Sequence, residues 1–256
     1  KSSPMRTLRP FTLQPASPTT AEQMGAALQR SAYSPNIKER KDESCAIFTK
    51  DRDMLAQAEH IPVHLGAMPH SLEAVVKKCE ISPGDQMILN DPYAGGTHLP
   101  DITLIKPVFL HEELIGFTVN RAHHADIGGD VPGSMPGESR TLDEEGIVIS
   151  PTHIVKEGTL VDDVLSRVKQ ARSPDEREGD IRAQIGANQR GGEEFTRAIE
   201  RFGKGKFERF TDEILDYSEK RTRNVLSELP NDVYSYSDLM EWDEEVLEYV
   251  GDLADY

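Results

Sequence analysis

Two short stretches hold most of the residues that could do chemistry. NDPYAGGTHLPD, residues 90–101, and NRAHHADIGG, residues 120–129, place His98, Asp101, His123, His124 and Asp126 in glycine-flanked segments, and seven of the eight histidines fall between residues 60 and 124. Each group follows an apolar run. Binding groups tend to sit on loops held by a rigid scaffold, and glycine lets backbone approach a ligand closely. An H-x-x-D pair joined by a histidine from a second strand end offers imidazole and carboxylate donors from two elements. That set suits a first-row divalent metal with open positions (Zn, Mn or Fe) rather than the all-oxygen shell of calcium. No cysteine takes part, which argues against a closed structural zinc site and for a catalytic one. The same residues also read as loop-capping aspartates and hydrogen-bonded histidines with no metal. Neighbouring side chains on extended backbone point opposite ways, so one of His123 and His124 is expected to bind directly, the other to support it, face substrate or move a proton.

The elements that must position these groups are legible in outline. TTAEQMGAALQRSAY, residues 19–33, has the 3.6-residue apolar spacing of a helix, with Thr19 and Glu22 as a capping box. SCAIFT and MLAQA, around a charged turn, form a hairpin. QMILN, ITLIKPVFL and LIGFTVN are apolar, β-branched-rich runs with the length of buried strands, the last two joined by the HEE turn. EHIPVHLGAMPHS reads as a loop carrying His60, His64 and His70, followed by a short helix SLEAVVKKC. After residue 155 the texture becomes helical: Ser173 as N-cap and Pro174 open one long helix, and KFERFTDEILDYSEKRTRNVLSEL forms another. The expectation is an α+β fold, with a β-rich N-terminal half bearing the metal-binding loops and long helices after it. The expected organisation is an extended arm over residues 1–18, a domain over 19–240, and an acidic segment over 241–256.

Composition narrows the function. The formal net charge is −16, and from Asn224 to Tyr256 there are ten acids and no Lys or Arg. Nucleic-acid binding needs a basic stripe that is lacking here. The acidic stretch reads as a solvated, partly disordered tail, or as a segment that docks on a basic partner. Cys45 and Cys79 form no disulfide framework, which fits a reducing cytosol, and no apolar run reaches the ~20 residues of a membrane span. No GxxxxGKS is present, so no nucleotide site is expected in this chain.

Five longer stretches, EQMGAALQRSAYSPNIKERKDESCAIF, AQAEHIPVHLGAMPHS, PGDQMILNDPYAGGTHLPDITLIKPVF, GFTVNRAHHADIGGDVPGSMP and EREGDIRAQIGANQRG, resemble in order the hydantoinase B/5-oxoprolinase family. That family includes the metal-bearing large subunit of acetone carboxylase-type enzymes. The resemblance implies a cytoplasmic, ATP-dependent, multi-subunit enzyme acting on a small carbonyl compound. One branch hydrolyses cyclic amides (hydantoin, 5-oxoproline, lactam) and the other carboxylates ketones; a non-catalytic assembly subunit is a third reading. ATP would be bound by a hydantoinase A-type, actin-like ATPase partner. By motif, His98, Asp101 and His123 would be metal ligands and Asp42, in KERKDES, a fourth, unless Asp42 is an ordinary exposed acid. His124 or Asp126 would carry the accompanying proton transfer, with His124 alternatively tuning a ligand from behind. Arg121 would bind a substrate carboxylate or phosphate, or pair with Asp126. Subunits of this family are commonly about twice this length, so either a further chain completes the C-terminal half or this is a fragment of a longer subunit.

Overall fold

The computed structural model describes residues 16–242 and 245–252. Its centre is a seven-stranded antiparallel sheet, in the order β2-β1-β5-β4-β3-β6-β7. The strands are β1 (Glu43–Thr49), β2 (Met54–Glu59), β3 (Gln86–Leu89), β4 (Asp101–Leu110), β5 (Glu113–His123), β6 (Thr152–Lys156) and β7 (Thr159–Leu160). The helices are α1 (Ala16–Ser31), α2 (Pro35–Lys38), α3 (Val63–Lys78), α4 (Leu142–Glu145), α5 (Asp162–Val168), α6 (Pro174–Phe202) and α7 (Lys204–Ser227). A second sheet pairs β8 (Ser235–Trp242) with β9 (Glu245–Asp252). The chain divides into two compact units, Lys1–Thr211 and Asp212–Tyr256. Among the described residues, no helix is long and apolar enough to cross a membrane.

The central strands are buried along most of their length because helices cover both faces. Side chains alternate. Cys45, Ile47, Val108 and Ala122 pack with Met24 and Leu28 of α1 and with Ala183, Ala187 and Phe195 of α6. On the other face Ala46, Phe48, Ile105, Phe117 and Val119 pack with Met68, Leu72 and Val75 of α3. A third cluster joins Ile88, Ile102 and Leu104 to Val164, Leu165 and Val168 of α5. The fold is α+β, as the alternation of apolar runs implies.

Several local expectations need correction. The first helix starts at Ala16, so Thr19 lies inside it and not at its cap. Of the arm expected over residues 1–18, residues 1–15 lie outside the described residues and the last three open α1. Of the histidine-bearing segment expected as a loop, His60 does precede α3, but His64 and His70 lie in the first half of that helix, which continues through Pro69. Burial of His64, Met68, Leu72 and Val75 at helical spacing against the sheet outweighs the cost of that proline. Ser173 precedes α6 but adopts a left-handed conformation and makes no side-chain cap. Strands β6 and β7 extend the sheet where no strand was expected, and β8–β9 occupies the region read as an acidic tail, of which residues 243–244 and 253–256 lie outside the described residues.

Phe117 is 1% exposed beneath α3. Phe117→Ala is expected to cost about 3–5 kcal/mol, seen as a lower urea midpoint at unchanged slope. A loss below about 1 kcal/mol contradicts this packing.

Candidate metal centre

Sheet register assembles the centre. Antiparallel pairing sets Asp101, the first residue of β4, opposite His123, the last of β5. Both side chains therefore lie on one face at one end of the sheet. His98 reaches the same point from the preceding loop. That loop turns through Gly95, whose φ is 95°, and a Cβ on Gly96 would lie 2.3 Å from the Asn90 carbonyl oxygen. Asn90 anchors the loop by donating to the Leu99 and Ile147 carbonyls, each at 2.9 Å, and accepting from the Ile149 amide at 2.6 Å.

One donor atom each from His98, Asp101 and His123 lies within 4.8 Å of the other two. His98 Nε2 is 3.2 Å from His123 Nδ1, which is 3.3 Å from Asp101 Oδ1. Asp101 is buried and its two oxygens are unequal. Oδ2 accepts from Thr97 Oγ1 at 3.1 Å and lies 3.2 Å from His98 Nδ1 and 3.5 Å from His64 Nε2. Oδ1 accepts no hydrogen bond; its contact with His123 has ion-pair distance without hydrogen-bond alignment. Burial alone would raise the Asp101 carboxyl, but the imidazoles of His123, His64 and His98 together hold it well below the ordinary carboxylate range. Its hydrogen bond with Asp101 raises His98 in turn, against the effect of burial.

A carboxylate accepts only, so the tautomers that suit these two contacts, neither of which is aligned as a hydrogen bond, place hydrogen on His98 Nδ1 and His64 Nε2. His98 Nε2 is then a bare lone pair directed at the cluster, and His64 Nδ1 receives the Ser44 hydroxyl at 2.9 Å. This donor set fits a metal. Adjacent ligands bound at about 2.1 Å to one ion stand about 3.0–3.4 Å apart, close to the two shortest donor separations here. The orphaned Asp101 Oδ1 would supply the carboxylate oxygen. The His98 side chain is 40% exposed and that of Asp101 only 2%, so the cluster opens toward solvent past His98.

The remaining expected site residues distribute around this group. Asp42 stands beside it: its carbonyl accepts the His123 amide at 3.0 Å and its charge favours protonated His98, but its carboxylate is not one of the three clustered donors. His124 points to the opposite face, toward α6, where its Nε2 meets Gln184 Oε1 at 2.9 Å; full burial pushes it down to about 4. Asp126 lies in the following loop and accepts from the amides of Gly128, Gly133 and Arg172 and from Arg172 Nη1. These bonds hold its carboxyl below the usual range, although burial works against them. Its cationic partner is Arg172. Arg121 is fully buried and donates to Thr103 Oγ1 at 2.7 Å, Thr97 Oγ1 at 3.2 Å and Ser71 Oγ at 2.8 Å. Its guanidinium thus supports Asp101 through Thr97. Sequence reasoning missed His64, Ser44, Thr97 and Gln184 as parts of this assembly; the i, i+4 spacing of His64 with Met68 and Leu72 was the signal for the first.

The profile of the hydantoinase B/oxoprolinase family matches residues 13–250. 5-oxoprolinase 1 of Arabidopsis thaliana is 40% identical over 230 residues, 84% of this chain and 18% of that protein. The crystal structure of the ATP-dependent caprolactamase from Pseudomonas jessenii superposes with a TM-score of 0.85 at 30% identity, covering 92% of this chain and 42% of that one. A nucleotide-free acetone carboxylase shares the fold, with a TM-score of 0.72 at 20% identity over 78% of this chain and 27% of that one. The chain thus spans less than half the length of each.

His98→Ala is expected to abolish stoichiometric Zn²⁺ or Mn²⁺ retention in equilibrium dialysis while leaving the far-ultraviolet spectrum unchanged; a folded, metal-replete variant would remove His98 from the ligand set. Asp126→Asn should lower neutral-pH stability by about 1–3 kcal/mol. Because the folded carboxyl titrates below its unfolded value, the stabilisation from Asp126 is present above about pH 3.9 and is lost as pH falls through the folded value. The two unfolding curves should therefore converge in acid, and a gap that persists there contradicts this role.

Proposed function

The chain belongs to the hydantoinase B/oxoprolinase family, and we propose that it is the metal-bearing part of an ATP-dependent, multi-subunit enzyme that hydrolyses a small cyclic amide such as a hydantoin, 5-oxoproline or a lactam. The observation that carries this reading is the clustering of His98, Asp101 and His123, with one donor atom of each within 4.8 Å of the others and Asp101 Oδ1 without a hydrogen bond. It occurs in a chain 40% identical to a 5-oxoprolinase and 30% identical to a caprolactamase. The alternative of ketone carboxylation finds support only in fold likeness to acetone carboxylase. A purely assembling subunit gives no reason for three metal-type donors to cluster at one end of the sheet.

Within this reading His98, Asp101 and His123 hold a divalent Zn, Mn or Fe ion, and Asp42 is the fourth ligand after a side-chain adjustment. Such an ion supplies Lewis-acid polarisation and favours a nucleophile at neutral pH. Thr97 and His64 fix Asp101 so that Oδ1 faces inward, and Arg121 holds Thr97. With His123 Nδ1 committed to the cluster, its Nε2 is the imidazole atom left to bind substrate or exchange a proton. His124 and Asp126, the groups first expected to transfer protons, act through position: His124 on the far face of β5 and Asp126 in its loop.

An amide resists attack because resonance stabilises its carbonyl, and phosphorylation of that oxygen by a partner turns it into a leaving group. We assign this step, with ATP, to a hydantoinase A-type actin-like subunit in the cytoplasm. The two free cysteines support a reducing compartment. The chain spans less than half the length of the 5-oxoprolinase and caprolactamase relatives, and the rest of the enzyme completes the assembly. Combined with those partners, the protein should show lactam- or 5-oxoproline-dependent ADP release, and His98→Ala should lower it by more than about a hundredfold. Turnover by the purified chain alone, without ATP, would refute the proposal.

A further inference from the structure

Behind the candidate centre, on the face of the sheet covered by α6, a side chain with no assigned role grips both strands that carry ligands. Gln184 is fully buried. Its Nε2 donates to the Ile102 carbonyl and to Asn120 Oδ1, both at 2.9 Å. With both amide hydrogens placed on acceptors, the amide has one orientation, and Oε1 must face His124. His124 Nε2, at 2.9 Å from that oxygen, is therefore the nitrogen that carries hydrogen. Asn120 completes the network by donating Nδ2 to the Gln184 carbonyl at 2.8 Å.

The bonded groups adjoin the ligands. Ile102 follows Asp101 and His124 follows His123, and the His124 amide also donates to the Pro100 carbonyl at 2.8 Å. One α6 side chain thus holds the residues immediately next to two ligands that meet across β4 and β5. Metal affinity depends on donors held near their bound positions, within about 0.5 Å. The distance between Asp101 Oδ1 and His123 Nδ1 is set by how these two strand ends sit against each other. Facing Gln184 on the helix are Arg177, Asp180 and Asn188, also fully buried, so water does not replace its bonds.

We propose that Gln184 is a positioning residue for the metal centre: through Ile102, Asn120 and His124 it fixes the spacing of Asp101 and His123. This rests on the reading of those two residues as ligands. Gln184→Met keeps the length of the side chain and removes the amide. Co²⁺ binding to the chain and to this variant is measured by titration and visible absorption, with the exposed Gln189→Ala on the same helix as control. The expected result is a folded Gln184→Met that binds Co²⁺ about tenfold to a hundredfold more weakly, with shifted absorption bands, while Gln189→Ala matches the unsubstituted chain. Wild-type affinity and spectrum in Gln184→Met overturn the proposal. Should that variant fail to fold, side-chain amide exchange in the unsubstituted, metal-free chain decides: both Gln184 Nε2 protons exchange slowly if the clamp exists, and fast exchange overturns it. Failure of the unsubstituted chain to bind Co²⁺ refutes the metal reading, and this proposal with it, even where the amide protons are protected.

Discussion

A buried carboxylate sets the terms for the rest of the molecule. Asp101 is 1% exposed at the start of a central strand, and an ionised group so placed is costly unless paired and hydrogen-bonded. Three elements answer that demand: α3 through His64, the H-x-x-D loop through Thr97 and His98, and β5 through His123. The carboxylate's one hydrogen bond, from Thr97, falls on Oδ2, which also lies 3.2 Å from His98 Nδ1 and 3.5 Å from His64 Nε2, whereas Oδ1 accepts none. One oxygen fixed and one left bare is the arrangement a metal-binding carboxylate needs, with its orienting partners already in place.

The sheet then separates the centre from its support. Alternation along β5 sends Arg121 and His123 to the α3 face and Asn120 and His124 to the α6 face, where Gln184 receives both. The ligand face is open past His98, whereas the supporting face is closed by a helix carrying buried polar residues. Such residues cost stability unless every bond is made. Gln184 makes all of its bonds, whereas His124 Nδ1 and the Asn188 amide find no partner, and burial depresses the His124 imidazole. The paired histidines of the second motif therefore divide: one belongs to the centre and the other to its scaffold.

Much of this was legible in the sequence. The strands stood out because apolar residues fill both faces, and H-x-x-D with HHAD marked the centre because both motifs end apolar runs. His64 was hidden because two prolines and a glycine made HIPVHLGAMPH look like a loop, masking the i, i+4 spacing that packing enforces. Gln184 lies 60 residues from His124, and no local pattern encodes that contact. A signal was nevertheless present: Arg177, Asp180, Gln184 and Asn188 share one helical face with small residues, a polar stripe where an apolar one is usual. The β8–β9 hairpin went unread because acids interrupt its apolar alternation, and charge there suggested disorder.

The central claim is that His98, Asp101 and His123 hold one divalent ion. Anomalous diffraction from crystals of the protein prepared without chelator tests it most directly. The account predicts a single peak at about 2.0–2.2 Å from His98 Nε2, His123 Nδ1 and Asp101 Oδ1. A peak bound elsewhere, or none in metal-supplemented crystals with these three side chains ordered, would contradict it.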